Sequence, residues 1–368
     1  MRTVKFVDLG KQYERFRSEI LEAFDQISRS GHYVFGPHLQ EFEENFAEYT
    51  GSKYALGVAN GSDALYLSMK ALGIGSGDEV ITAPNSFIAS AWTIANTGAK
   101  VVFADARMDM NIDPEAVEKA ITERTKAIMP VHLTGKVADM PHLMQIAERH
   151  NLHIIEDAAQ AVGASLNGNK SGSFGIAAGF SLHPLKNLHV HGDGGMITTS
   201  DTGLYEELKR WRNHGLRNRD ECEFWGINSR LDAIQAAIGM IKLRNLDEIN
   251  DGFRRIAHRY TAALSDVVIC PQESDEEVQV FHRYMIQSHY RDELKAFLFE
   301  RGIDTKINYP IPIHLQNAAK DLGYFKGRFP VAERLSERIL SLPIYAEMPN
   351  DDIDYVIENI LEFFQTVT

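Results

Sequence analysis

The sequence predicts an α/β large domain built on a mainly parallel seven-stranded sheet, followed by a smaller α+β domain. Between residues 55 and 200, seven short apolar or β-branched runs alternate with helix-length stretches, the texture of βαβ units. Several runs lack apolar–polar alternation, as strands buried on both faces do. A new pattern of helix, strand and helix begins near Gly252, dividing the chain into residues 1–250 and 251–368.

The elements follow in chain order. Phe16, Ile20, Phe24 and Ile27 repeat at helical spacing, as do Leu39, Phe42, Phe46 and Tyr49, so the first fifty residues read as two amphipathic helices. Gly31 and the pair Gly36-Pro37 punctuate them. The seven strand-like runs are residues 55–60, 79–84, 100–105, 127–132, 153–157, 179–184 and 195–199. Gly73, Gly75 and Gly77 follow a helix and precede Glu79-Val80, which reads as a helix end and turn, not a dinucleotide fingerprint. A helical pattern over 231–246 closes the region. Beyond it come a helix from about 252, a strand-like stretch at 278–287 and a helix around 294–301. Asn350, as N-cap, and Asp351, Asp352 and Asp354 open a final helix holding Ile353, Val356, Ile360 and Phe363.

Composition narrows the function classes. Hydrophobic residues at 44% and charged residues at 24% of 368 sit at the globular average, which excludes disordered, collagen-like and coiled-coil chains. Fifty-one acidic residues against 38 basic ones leave a net charge of −13, so no broad nucleic-acid footprint is expected. Cys222 and Cys270 form neither a disulfide framework nor a metal-spaced pair, which fits a reducing compartment. The first ten residues lack a signal-peptide core, and no apolar run approaches ~18 residues. A cytoplasmic location with no membrane partner is the expectation.

In open α/β sheets ligands sit beyond the carboxyl ends of the strands. After the first run comes Asn60-Gly61-Ser62-Asp63 and then a helix, where exposed amides and the helix dipole favour an anion; Ser62 or Asp63 as a plain N-cap is the alternative. After the fifth comes Glu156-Asp157-Ala158-Ala159-Gln160, where a buried acid needs a cation, a salt bridge or a helix cap to offset its desolvation. After the sixth comes Ser181-Leu182-His183-Pro184-Leu185-Lys186, then Gly192-Asp193-Gly194-Gly195 and the seventh run. A lone lysine in such a loop is commonly just solvated, yet a desolvated one attacks carbonyls. An anion cradle, a carboxylate and an amine on neighbouring strand ends are together what pyridoxal 5′-phosphate needs. Phe87, after the second run, supplies an aromatic face for its ring.

With these motifs in order, the sequence resembles the nucleotide-sugar aminotransferases of the DegT/DnrJ family, fold-type-I pyridoxal phosphate enzymes. Asn228-Ser229-Arg230-Leu231-Asp232, Tyr309-Pro310, His314-Leu315-Gln316 and Ser341-Leu342-Pro343 extend the resemblance to the end of the chain. The resemblance implies that Lys186 bonds the cofactor's aldehyde carbon, that Asp157 pairs with the pyridine nitrogen and that Gln160 contacts the phenolic oxygen. It further implies that Gly61, Ser62 and Ser181 hold the phosphate while Phe87 stacks on the ring. Asn228 would reach the phosphate of a partner subunit in a homodimer, and Tyr309 and His314 would stand on the substrate side.

The sequence departs from the family pattern in two places. Asn187-Leu188-His189-Val190-His191 stands where relatives carry small or apolar residues, so His189 and His191 are expected to shape the sugar pocket or a subunit contact; no third ligand makes them a metal site. Thr134 and Lys136 replace the common Tyr and Gln, and nearby His132 reads as a satisfied buried histidine or a site residue. The implied activity is transfer of an amino group, with L-glutamate as donor, to a nucleotide-linked keto-deoxysugar, 3-keto ahead of 4-keto, in amino-sugar or O-antigen-type polysaccharide biosynthesis. The rival readings are a sugar dehydratase, whose relatives replace the lysine by His, and a non-catalytic regulator that binds the cofactor or the sugar.

Overall fold

The computed structural model describes residues 2–367. The large sheet consists of β1 (Tyr54–Val58), β2 (Glu79–Thr82), β3 (Lys100–Phe103), β4 (Thr125–Met129), β5 (His153–Asp157), β6 (Ala177–Ser181) and β7 (Gly195–Thr199). Each lies within or overlaps one of the seven runs read from the sequence. Their order across the sheet is β1-β7-β6-β5-β4-β2-β3. Only β7 runs antiparallel to its neighbours, pairing β1 on one side and β6 on the other. The remaining pairs are parallel.

The helices are α1 (Leu9–Ser30), α2 (Pro37–Thr50), α3 (Gly61–Ala71), α4 (Ile88–Thr97), α5 (Pro114–Ala120), α6 (Met140–His150), α7 (Thr202–Trp211), α8 (Ala233–Leu243), α9 (Leu246–Leu264), α10 (Arg291–Glu300), α11 (Pro330–Arg338) and α12 (Asn350–Val367). They explain why the strands lack alternation. Val80, Ala127 and Ile155 pack on one face with Leu65 and Met69 of α3, while the adjacent Ile81, Ile128 and Ile154 pack on the other with Leu143 and Ile146 of α6. Both faces of β2, β4 and β5 are therefore apolar.

A second core forms around α9, α10, α12 and the antiparallel pair β8 (Tyr284–Gln287) and β9 (Ile339–Leu342). The start of the chain enters it. Val4, Phe16 and Ile20 are buried there, Val4 N donates to Gly302 O at 2.9 Å, Asp304 N donates to Val4 O at 3.0 Å, and Arg2 pairs with Asp352.

Three local readings are corrected. The helix break expected near Gly252 lies at residues 244–245, so residue 250 falls inside α9. Gly252 packs closely there, since a Cβ on it would lie 2.9 Å from the Ala346 Cβ. Phe24 stands in the apolar stripe of α1 but is 53% exposed. Asn350 begins α12, yet its side-chain oxygen accepts from Arg255 and Arg259 on α9 and so ties two helices together.

Candidate active site

A cavity of about 720 Å³ opens at the carboxyl ends of the parallel strands. Its wall includes Gly61, Ser62, Phe87, Asp157, Gln160, Ser181, Lys186 and Tyr309, so eight residues expected at the site meet in one place.

The anion cradle is built by α3. Asn60, not Ser62 or Asp63, caps this helix, its Oδ1 accepting from Asp63 N at 2.8 Å. Gly61 lies so near the end of β6 that a Cβ there would stand 2.8 Å from the Ser181 Cβ. The glycine thus lets the helix N-terminus and the Ser181 hydroxyl converge, and the first-turn amides and helix dipole favour an anion there. Asp63 Oδ2 accepts from Ser229 Oγ at 2.6 Å, and that hydroxyl accepts from Ala59 N at 3.0 Å.

Asp157 ends β5 and is buried. Ser90 Oγ donates to its Oδ2 at 2.8 Å, and Ala159 N donates to its Oδ1 at 3.2 Å. Burial outweighs these bonds and holds the carboxyl above its usual range. Among the described residues no ion pair is formed by this carboxylate. A buried acid facing a cavity without a cation is complementary to a ligand's protonated nitrogen.

Lys186 lies in the loop between β6 and β7, its backbone N donating to His183 O at 2.8 Å. Burial, assisted by the nearby Arg283 charge and opposed by Asp157, lowers its amine to about 8. That amine is neutral in a usable fraction near neutral pH, as a nucleophile toward an aldehyde must be. Beneath the loop, His189 Nδ1 bonds the Lys186 carbonyl at 2.9 Å, and Asn187 Nδ2 donates to Asn250 Oδ1 and Val280 O.

Gln160 Oε1 accepts from Thr134 N at 2.9 Å, and Tyr309 lines the same cavity, its hydroxyl pushed by burial up to about 12. The Phe87 ring is half exposed and lies 5.6 Å from the Tyr309 ring, centroid to centroid. An anion cradle, an unpaired buried carboxylate, a depressed amine and an aromatic face are groups that would fit pyridoxal 5′-phosphate.

Other expected residues lie elsewhere. His314 is outside the cavity wall of its own chain: its Nε2 donates to Glu333 Oε1 at 3.0 Å and its ring packs on Phe329. Asn228 is exposed and outside the wall of its own chain, although Ser229 beside it reaches Asp63. His189 is buried and His191 is exposed, with its backbone clasped by Gln235, and neither lines the cavity. Lys136 turns to Asp109 and Glu277. His132 is a satisfied buried histidine: Nδ1 accepts from Ala138 N, which leaves Nε2 to donate to Glu156 Oε2 at 2.9 Å. Sequence reasoning did not single out Ser90, Ser229, His282 or Arg283. The first two carried a signal, since Ser90 follows the Phe87 turn and Ser229 sits inside a quoted motif.

The model of the DegT/DnrJ/EryC1/StrS aminotransferase family matches residues 14–361. The chain belongs to this family. A Geobacillus stearothermophilus relative named pleiotropic regulatory protein is 45% identical, across 98% of this chain and 99% of its own. The dTDP-3-amino-3,4,6-trideoxy-alpha-D-glucose transaminase of Streptomyces venezuelae is 41% identical, across 99% of this chain and 97% of its own. The crystal structure of S. venezuelae DesV in complex with a ketimine intermediate superposes with a TM-score of 0.97 at 41% identity, covering 99% of each chain. For a family aminotransferase, the fold-type-I sheet order and the clustering at the strand ends are accounted for together.

Proposed function

We propose that this aminotransferase uses pyridoxal 5′-phosphate to move an amino group from L-glutamate to carbon 3 of a nucleotide-linked 3-keto-deoxysugar. The observation that carries the reading is the depressed Lys186 amine and the unpaired buried Asp157 facing one cavity. The 3-amino product named for the Streptomyces relative supports the carbon.

When bound, the cofactor supplies an aldehyde that takes up and returns the amino group and a ring that accepts the electron pair of the broken C–H bond. Lys186 Nζ moves the proton between the donor's α-carbon and the cofactor, and its pKa of about 8 suits both directions near neutral pH. The Asp157 carboxylate keeps the ring nitrogen protonated. Gly61, Ser62 and Ser181 bind the phosphate, Phe87 covers the ring, and Gln160 meets the phenolic oxygen. Tyr309 lies on the substrate side. The enzyme acts as a cytoplasmic homodimer in amino-sugar synthesis for polysaccharides such as O-antigen, with Asn228 completing the partner's phosphate site. Its two free cysteines, one exposed, support the reducing compartment. A purely regulatory protein, the sense of the name the Geobacillus relative carries, has no need of a depressed amine opposite a buried acid.

The test loads the enzyme with cofactor, adds L-glutamate, and follows the cofactor's absorbance before offering nucleotide-linked 3-keto and 4-keto sugars. Conversion by glutamate and a 3-amino product, identified by mass and NMR, are expected. No amino transfer from any donor at full loading overturns the reading.

A further inference from the structure

Arg283 lies in the cavity wall immediately before β8 and is only 8% exposed. Its Nη1 donates to the His282 carbonyl at 3.2 Å, and its guanidinium carbon stands 5.0 Å from the centre of the Phe6 ring. Among the described residues it has no carboxylate partner. The other buried arginines do have one: Arg212 pairs with Glu43 and Arg291 with Asp292. A guanidinium carries five donors and stays charged, so a buried one without an acid is costly unless something else meets it.

Two acids of the cavity are held by other groups, Asp157 by Ser90 and Ala159 and Asp63 by Ser229, and among the described residues the exposed Asp193 of the same wall forms no ion pair with Arg283. The neighbouring histidine offers no charge either: His282 is buried, burial keeps it well below its usual value, and its Nδ1 turns to Asn187 Oδ1 at 3.3 Å. The phosphate cradle on α3 uses a different set of residues. Arg283 and Lys186 line the same cavity, so a carboxylate on the guanidinium places the rest of its molecule in the space that the amine faces.

We propose that Arg283 is the carboxylate receptor of the cavity, gripping the amino donor's carboxylate through its planar fork. The inference rests on the aminotransferase reading and names a residue that selects the donor. A carboxylate on the sugar, as in a nucleotide-linked uronic acid, has the same chemistry, and the test separates the two.

Cofactor-loaded wild type, Arg283→Gln and Arg283→Lys are titrated calorimetrically with glutarate, with a nucleotide-linked uronic acid and with its neutral sugar counterpart. Affinity for glutarate should fall at least about tenfold in Arg283→Gln, the loss expected when a charge-assisted bond to a buried partner is removed. Binding of the neutral sugar nucleotide should not change, and the variant should still load cofactor. In steady state the KM for glutamate rises while the KM for the keto-sugar holds. Arg283→Lys keeps the charge without the fork and supplies the same comparison if the glutamine variant fails to load cofactor. Loss confined to the uronic acid retains the receptor and moves its ligand to the sugar; unchanged affinity for both acids overturns the proposal. Glutarate has no amino group, so this result is read even if the enzyme proves unable to transaminate.

Discussion

Ser90 Oγ donates to Asp157 Oδ2 at 2.8 Å, joining α4 to the end of β5 across 67 residues of sequence. The bond favours the ionised acid against the burial that disfavours it.

Ser90→Ala should therefore raise the Asp157 pKa further above its usual range. The ionised form then disappears at a higher pH as acid is added, so the acid limb of the rate profile moves upward. Hydrogen bonds to charged groups contribute about 1.5–3 kcal/mol, enough to move the limb measurably. The rate of amino transfer from glutamate to the loaded enzyme, measured against pH, checks it; an unmoved limb would remove Ser90 from the account.

Asp157→Asn should leave the fold intact and slow transamination at least about tenfold, since the lost charge is worth more than one pKa unit at the ring nitrogen. Single-turnover rates with circular dichroism as the fold control decide it. A smaller loss counts against the ring-nitrogen role.

Lys186→Ala should retain cofactor through the cradle and lose turnover by about a hundredfold or more, the lower end of what a positioned acid–base group contributes. The absorbance of the lysine-bound cofactor should vanish while bound cofactor is still recovered after gel filtration. Near-normal activity would end the assignment.

The amine of Lys186 sits near 8, against an ordinary value of 10.5, so its neutral form accumulates at lower pH than that of a solvated lysine. Uptake of pyridoxal 5′-phosphate by the cofactor-free protein should accelerate about tenfold per pH unit below that value and level off above it. Stopped-flow absorbance between pH 6 and about 10 gives the profile. An increase that continues to the top of the range would mean an ordinary lysine.

Mixing Lys186→Ala chains with Asn228→Asp chains should restore activity that neither homodimer has. If Asn228 serves the partner's site, each mixed dimer carries one site with both defects and one with neither. Isolated heterodimers without activity would return Asn228 to its own chain.

The sheet was legible because strands buried on both faces announce themselves as uninterrupted apolar runs, and the groups at their ends came with them: Asp157, Ser181 and Lys186 each close or follow a run. Gly61 was legible as a helix start, though the steric reason for it lies on another strand, at Ser181. What the sequence hides is pairing across distance. Nothing local joins Ser90 to Asp157 or Ser229 to Asp63, and Arg283 in a strand-like stretch looks like any surface arginine until its lack of an acid is seen in space. The bond from His314 to Glu333, nineteen residues on, is equally hidden, because a motif fixes order along the chain and not the direction of a ring.

Val4 docks between Gly302 and Asp304, residues made some 300 positions after it. At translation rates of about 5–20 residues per second, the segment around Val4 waits on the order of 15 to 60 seconds for the surface that will hold it. During that interval Phe16 and Ile20 have no partner from the distal core, and the emerging chain presents them to whatever else is at the ribosome exit. The seam is thus sewn from two segments that leave the ribosome at widely separated times.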